Sequence, residues 1–425
     1  MHHFYRKNGS LFCEDVSLSA LAEKYGTPLY VYSARTLREH YQRLDSALAT
    51  LDPMLCFAMK SNSNLSVLRT LARAGAGFDI VSGGELFRVL KAGGKAARCV
   101  FAGVGKTDDE IAFALREGIF AFHVESWPEL EQINRIALRL KKVAPVAARV
   151  NPNVDADTHH KITTGTYENK FGIPFEDIPA FYDKASRLAG IQLRGVQMHI
   201  GSQIISVKPF RDAAKKMLPL ALTLKARHGI EYFGMGGGLG IVYDPALESG
   251  TAAWWKKQKN PPLTPETYAA AIVPVLQPLG LKIVLEPGRF ISGNAGVLLA
   301  SVVNVKKTAH KNFIIVDAAM NDLIRPAFYE SYHQIEPLTV RRGKLIGSDV
   351  VGPICESGDT FCKERPLPPL SAGDRVAFLS AGAYGFTMSS NYNSRPRTAE
   401  ILVDGKKIIV ARKRETLDDL IRGER

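Results

Sequence analysis

Met54-Leu55-Cys56-Phe57-Ala58-Met59-Lys60 is an apolar run that stops on a lysine, and its reading decides the fold. Runs of the same kind recur at 78–81, 99–102, 120–124, 145–150, 195–199, 232–235 and 282–286. Helical stretches separate them. Leu65, Leu68 and Leu71 follow the polar Asn62-Ser63-Asn64 at helical spacing and stop at Gly75, and Ser126-Trp127-Pro128-Glu129 opens another helix with an N-cap, an early proline and an acidic first turn. Eight strands (54–59 being the first) that alternate with helices are the number a (β/α)8 barrel requires. The fold expected is therefore α/β, a TIM-like barrel over 34–289.

Beyond Arg289 the pattern turns to period two, at 297–305, 313–316, 375–379, 401–403 and 407–411. This predicts a second, mainly antiparallel β domain made of 1–33 plus 290–425, with Leu29-Tyr30-Val31-Tyr32 among its strands. The connection after the fifth barrel strand, from 151 to about 194, is long and holds His159, His160, Lys161, Asn169, Lys170 and Phe171. A long loop at the catalytic face of a barrel covers or shapes a site. Residues 353–369 are rich in turn formers, and no internal repeat is present.

With 46% hydrophobic and 23% charged residues in 425, the composition is that of a globular protein with a large core. The five cysteines form no metal-ligand spacing and leave one unpaired, which favours reduced thiols in a cytoplasmic setting and no bound metal. No signal-peptide pattern and no stretch of roughly 18 apolar residues is found, so neither export nor membrane insertion is expected. The net charge of +13 is spread along the chain, and the short basic runs at 406–407 and 412–414 lack interleaved aromatics. That disfavours a nucleic-acid surface.

Barrels of this type carry their active site at the carboxyl ends of the strands. Those ends supply Lys60, Asp79, His199, the run Gly236-Gly237-Gly238, and Glu286 followed by Pro287, Gly288 and Arg289. A lysine desolvated in a barrel mouth becomes nucleophilic and suited to a Schiff base, whereas a lysine at a strand end can also reach solvent. Three successive glycines after the seventh strand can turn their amides toward a phosphate. Glu286 could hold a pyridine nitrogen protonated, or pair with Arg289 as a structural ion pair. His199 could stack on a flat ring, or be a core histidine. Cys355 is a proton donor only if it reaches the cavity. Taken together, an amine, a phosphate loop, a ring carboxylate and a flat aromatic constitute a pyridoxal phosphate site.

At these residues the chain resembles the diaminopimelate decarboxylases, within the barrel-type (fold type III) group of pyridoxal phosphate enzymes that includes ornithine and arginine decarboxylases. The resemblance runs over nearly the whole chain and rests on Phe57-Ala58-Met59-Lys60-Ser61-Asn62, Asp79-Ile80-Val81-Ser82-Gly83-Gly84-Glu85, Asn169-Lys170-Phe171-Gly172, His199-Ile200-Gly201-Ser202-Gln203 and Glu286-Pro287-Gly288-Arg289. It continues in Asn321-Asp322-Leu323-Ile324-Arg325-Pro326, Cys355-Glu356-Ser357-Gly358-Asp359 and residues 385–393. Phe57 and Ser61 stand where tyrosine and alanine are frequent, and neither removes a catalytic group.

The resemblance implies a catalytic set of Lys60, which carries the cofactor, His199, which stacks on its ring, and Cys355, which protonates the substrate after carbon dioxide leaves. It implies Gly236, Gly237, Gly238, Ser202 and Tyr384 at the phosphate, Glu286 at the ring nitrogen, and Asp79, Gly288 and Arg289 among the other cofactor contacts. It also implies a homodimer in which Cys355 and Glu356 reach the neighbouring subunit's cavity. The substrate implied is a small amino acid, meso-diaminopimelate, decarboxylated to L-lysine. Its distal head carries a carboxylate and an ammonium, which suit Arg289, Arg325, Tyr329 and Tyr384 on one side and Glu356 on the other. A decarboxylase of ornithine, arginine or another diamine precursor is the nearest alternative, and a non-catalytic pyridoxal phosphate carrier is an alternative of another class.

Overall fold

In the computed structural model, which describes residues 2–154 and 170–425, the eight apolar runs form a closed ring of parallel strands. They are β1 (Met54–Ala58), β2 (Gly77–Ile80), β3 (Cys99–Phe101), β4 (Ala121–Val124), β5 (Ala144–Asn151), β6 (Ile191–Met198), β7 (Tyr232–Gly236) and β8 (Lys282–Leu285). Neighbours in sequence pair in parallel all the way round, and β8 closes on β1 through Val284 opposite Met54. The connecting helices include α1 (Leu65–Arg73), α2 (Gly83–Lys91), α3 (Asp108–Glu117), α4 (Trp127–Arg139), α5 (Ile178–Ala185), α6 (Lys208–His228) and α7 (Pro265–Leu276). Local chemistry starts them where the sequence indicates. Asn64 caps α1, Ser82 caps α2, Thr107 and Glu110 form a capping box on α3, and Ser126 caps α4 ahead of Pro128. Met54, Cys56, Val100, Ala147, Tyr232 and Val284 fill the barrel interior.

The fifth crossover departs from the expected outline. β6 begins at Ile191, four residues before the expected start at 195, and the register against β5 slips between Leu193 and Gly195. At that slip the buried Tyr182 hydroxyl of α5 donates to the Gly195 carbonyl at 2.5 Å and accepts the Ala148 N–H at 3.2 Å. One hydroxyl thus satisfies two backbone groups on adjacent strands. His159, His160, Lys161 and Asn169 lie outside the described residues.

The chain divides into two compact units, Glu39–Ile241 with Pro262–Phe290, and Met1–Arg38 with Val242–Pro261 and Ile291–Arg425. Val242–Pro261, counted with the barrel in the sequence reading, groups with the second unit. That unit is a mainly antiparallel sheet running Thr360–Leu367, Ile346–Val351, Asn312–Val316, Gly296–Lys307, Leu29–Ser33, Ala399–Asp404 and Lys407–Arg412. Leu29–Ser33 pairs antiparallel with Gly296–Lys307 and parallel with Ala399–Asp404, so the early strand is central to the sheet. Two strands that the sequence did not reveal, Ile346–Val351 and Thr360–Leu367, pair with each other, the latter inside the turn-rich stretch. No helix among the described residues is long and apolar enough to cross a membrane.

Tyr182→Phe keeps the ring but strands the Gly195 carbonyl and the Ala148 N–H. A loss of about 1–3 kcal/mol is expected from the cost of buried unsatisfied groups. Denaturant unfolding of the purified variant checks it, and an unchanged midpoint would remove the bridging role.

Candidate active site at the carboxyl end of the barrel

Lys60 stands in the tight turn Met59–Ser61 immediately after β1, where the polypeptide leaves the barrel. Its ammonium lies 3.0 Å from Oδ2 of Asp79, the third residue of β2. The Lys60 side chain is 42% exposed and Asp79 is 1% exposed. Of the two readings the sequence allows, a desolvated amine or one that reaches solvent, the structure shows a solvent-reaching amine tethered to a buried acid. Asp79 Oδ1 is buried without a hydrogen-bond partner among the described residues, so this carboxylate retains unused acceptor capacity.

Glu286 follows β8 and is 6% exposed. Burial, reinforced by the Asp79 carboxylate, pushes its carboxyl up to about 8, against the opposing pull of Lys60, Arg149 and a Gln197 hydrogen bond. Gln197 Nε2 donates to Oε1 at 3.2 Å and to Oε2 at 3.0 Å. His123 Nδ1 approaches Oε1 at 3.4 Å, and its Nε2 meets the Tyr232 hydroxyl at 3.1 Å. Burial, and then Lys106 and Arg149, push the His123 imidazole down to about 3. Glu286 is thus enclosed by a neutral amide and a neutral imidazole.

His199 comes directly after β6 and accepts the Gly237 N–H on Nδ1 at 3.2 Å. Desolvation, with Arg149 and Lys60 next, holds its imidazole well below the ordinary histidine range. The ring is consequently neutral, with Nδ1 serving as the acceptor. The glycine run obeys a constraint that sequence reasoning missed. A Cβ on Gly236 would overlap the Met198 carbonyl, one on Gly237 would overlap the Glu286 carbonyl, and one on Gly238 would stand 2.7 Å from the Gly201 carbonyl. Backbone crowding at the ends of β6, β7 and β8 thus demands these glycines whatever they bind. Since Gly237 gives its N–H to His199, the run is not three amides turned outward together. Beside it, Arg289 Nη2 donates to Ser202 Oγ at 3.2 Å, and the buried Gly288 approaches Ala58 and Ser61.

Gln197, His123 and Arg149 went unassigned in the sequence. All three sit on barrel strands that read as apolar runs, and a polar side chain inside such a run was the available signal. Arg149 binds Glu125 at 3.2 Å and lies 4.7 Å from the Phe171 ring, while Glu125 Oε2 accepts the Gly172 N–H at 2.9 Å.

The remaining expected residues lie in the second unit. Arg325, 5% exposed, donates to His333 Nε2 at 2.9 Å and to Ser331 Oγ at 3.1 Å, with its guanidinium 5.0 Å from the Tyr243 ring. Tyr329 ends the same short helix, Arg325–Tyr329, and Tyr384 holds a positive φ of 57°. Cys355 is exposed, with its N–H on Asn393 Oδ1 at 3.2 Å, and Glu356 accepts the Tyr392 hydroxyl at 2.8 Å.

The barrel face fits pyridoxal phosphate on the ground of Glu286. A buried carboxyl raised in pKa and contacted by one neutral amide donor gains from a ring N–H⁺. The comparisons agree. Residues 34–293 match the family model described as pyridoxal-dependent decarboxylase, pyridoxal binding domain. The chain is 48% identical to diaminopimelate decarboxylase of Vibrio cholerae over 98% of its length and 97% of the relative's. It is also 48% identical to that of Pseudomonas aeruginosa, over 100% and 99%. Among solved structures it is similar to diaminopimelate decarboxylase from Helicobacter pylori complexed with L-lysine, with TM-score 0.88, 40% identity and 95% and 98% of the two chains covered. The M. jannaschii enzyme in co-complex with L-lysine gives TM-score 0.91, 35% identity, and 100% and 98% coverage. The chain belongs to the pyridoxal-dependent decarboxylases and, within them, to the diaminopimelate decarboxylase family. Its cofactor is pyridoxal 5'-phosphate.

The depressed imidazoles set a pH dependence. His123, neutral in the fold and titrating near 6.5 when unfolded, takes up a proton on unfolding anywhere between pH 6.5 and about 3. Stability therefore falls across that window as pH drops, by about 1.4 kcal/mol per pH unit for such a group. The ring protons of His123 and His199 should accordingly show no imidazole titration step near pH 6.5, any change in the His123 shifts near pH 8 belonging to Glu286. Midpoints near 6.5 would contradict the electrostatics described here.

Proposed function

We propose that this chain catalyses pyridoxal phosphate-dependent decarboxylation of meso-2,6-diaminopimelate to L-lysine and carbon dioxide, the last step of lysine biosynthesis. The observation that carries the reading is the Lys60–Asp79 pair and buried Glu286 at one barrel mouth, in a chain that matches diaminopimelate decarboxylases along its whole length. Lys60 holds the cofactor covalently, and Asp79 keeps that amine at the mouth. His199, neutral and fixed by Gly237, would lie against the cofactor's ring. Gly236, Gly237, Gly238, Ser202, Gly288, Arg289 and Tyr384 surround the phosphate, and the Arg289–Ser202 bond supports this grouping. Glu286 keeps the ring nitrogen protonated. When bound, the cofactor supplies an electron sink for the pair left by the departing carboxylate.

Cys355 delivers a proton to the substrate α-carbon after carbon dioxide leaves. Arg289, Arg325, Tyr329 and Tyr384 receive the distal carboxylate and Glu356 the distal ammonium, by charge-assisted bonds. Cys355 and Glu356 serve the cavity of a second copy, in a cytoplasmic homodimer whose active sites are shared. The exposure of Cys355 is consistent with that role.

Carbon dioxide and L-lysine release from meso-diaminopimelate, run beside L-ornithine and L-arginine, tests the reading. Release confined to meso-diaminopimelate is expected, and release from ornithine or arginine alone would overturn the specificity. Lys60→Ala and Cys355→Ala are each expected to be inactive or nearly so. Mixed and allowed to exchange subunits, they should regain roughly a quarter of wild-type activity, because one site of each mixed dimer is intact. Mixed dimers without recovery would refute the shared site.

A further inference from the structure

Gln197 lies on β6, two strands from the end of β8, and its amide nevertheless contacts both oxygens of Glu286. The intervening strand makes this reach possible. Gln197 pairs with Gly234 of β7, which pairs in turn with Val284 of β8. A Cβ on Gly234 would stand 2.6 Å from Gln197 Cγ and 2.9 Å from Gln197 Cβ. The glycine leaves a gap through which the glutamine stem crosses the strand. Gln197 is 1% exposed, and its Oε1 is buried without a hydrogen-bond partner among the described residues. The donors of this amide are therefore directed to the Glu286 carboxylate while its acceptor is left unused, a costly arrangement for a residue that merely packs.

We propose that Gln197 is a positioning residue that crosses β7 through the Gly234 gap and fixes the plane and rotamer of the Glu286 carboxylate. This rests on the reading of Glu286 as the partner of the cofactor's ring nitrogen. A carboxylate held by one amide on both oxygens cannot rotate without breaking both bonds, so its free lone pairs stay aimed at one place. The charged and titratable groups around Glu286 are Lys60 after β1, Asp79 on β2, His123 on β4 and Arg149 on β5, with Cys56 on β1 and Tyr232 on β7 also coupled to it. Gln197 is the uncharged donor in this set, and its bond favours the ionised carboxylate.

The full-length chain tests this in two ways. Infrared titration of the cofactor-free protein, with the Glu286 band assigned by Glu286→Gln, reports the carboxyl directly. Gln197→Met, similar in shape but without a donor, should raise the midpoint by about one pH unit or more. Gly234→Ala, which leaves Gln197 in the sequence but obstructs its path, should move the midpoint in the same direction. In cofactor-loaded enzyme acting on meso-diaminopimelate, Gln197→Met should lower kcat roughly ten- to hundredfold, the range for losing a hydrogen bond to a charged group, and leave KM within about twofold. A Gln197→Met midpoint equal to wild type would overturn the proposal. A Gly234→Ala midpoint equal to wild type beside a shifted Gln197→Met would overturn the strand-gap route. Wild-type protein that releases carbon dioxide from no diamino acid would fail the functional reading instead, leaving the titration to decide this one.

Discussion

A carboxylate buried at the end of the last barrel strand is the group on which the barrel mouth depends. Removing a carboxylate from water costs several kcal/mol unless nearby donors and cations offset it. Gln197 supplies two hydrogen bonds to Glu286, and Lys60 and Arg149 supply favourable field, while Asp79 opposes ionisation. The balance leaves the Glu286 carboxyl raised to about 8 and therefore responsive to a proton on a neighbouring ring. Closure of β8 on β1 brings Lys60 and Asp79 to the same rim as Glu286, so topology alone assembles amine and acid.

The same rim explains the glycines. Gly236, Gly237 and Gly238 sit where three strand ends converge, and each would collide with a neighbouring carbonyl if it carried a side chain. The phosphate surround proposed for them would be superimposed on a requirement of the backbone. The bond from Gly237 to His199 joins the glycine run to the aromatic ring, so displacement of either would disturb the other.

Much of this was legible in the sequence because it is local. An apolar run ending in Lys60 or Glu286 and a cap at Asn64, Ser82 or Ser126 are short-range signals, and all eight barrel strands follow from them. What stayed hidden is non-local. The role of Gln197 depends on a glycine 37 positions later and an acid 89 positions later, and only the register of β6 on β7 joins them. An apolar strand that stops on Lys60 is compatible with a desolvated or a solvent-reaching amine, and the turn at Met59–Ser61 decides for solvent. Thr360–Leu367 was obscured by Pro366 and its charges, which an outermost strand tolerates and a central one does not. In the second unit, Asp359 is 3% exposed and accepts the N–H groups of Ile354 and Met320, which fixes the base of the Cys355–Glu356 turn. That anchor is a buried acid in a turn-rich stretch, and no periodicity announces it.

In the proposed site, pyridoxal phosphate would be held through Lys60 with Glu286 at its ring nitrogen. Borohydride reduction of the cofactor-loaded protein, followed by digestion and mass mapping, tests it most directly because it fixes the cofactor where it is attached. A single labelled lysine, Lys60, is expected. Label on any other lysine, with Lys60 unmodified, would contradict it.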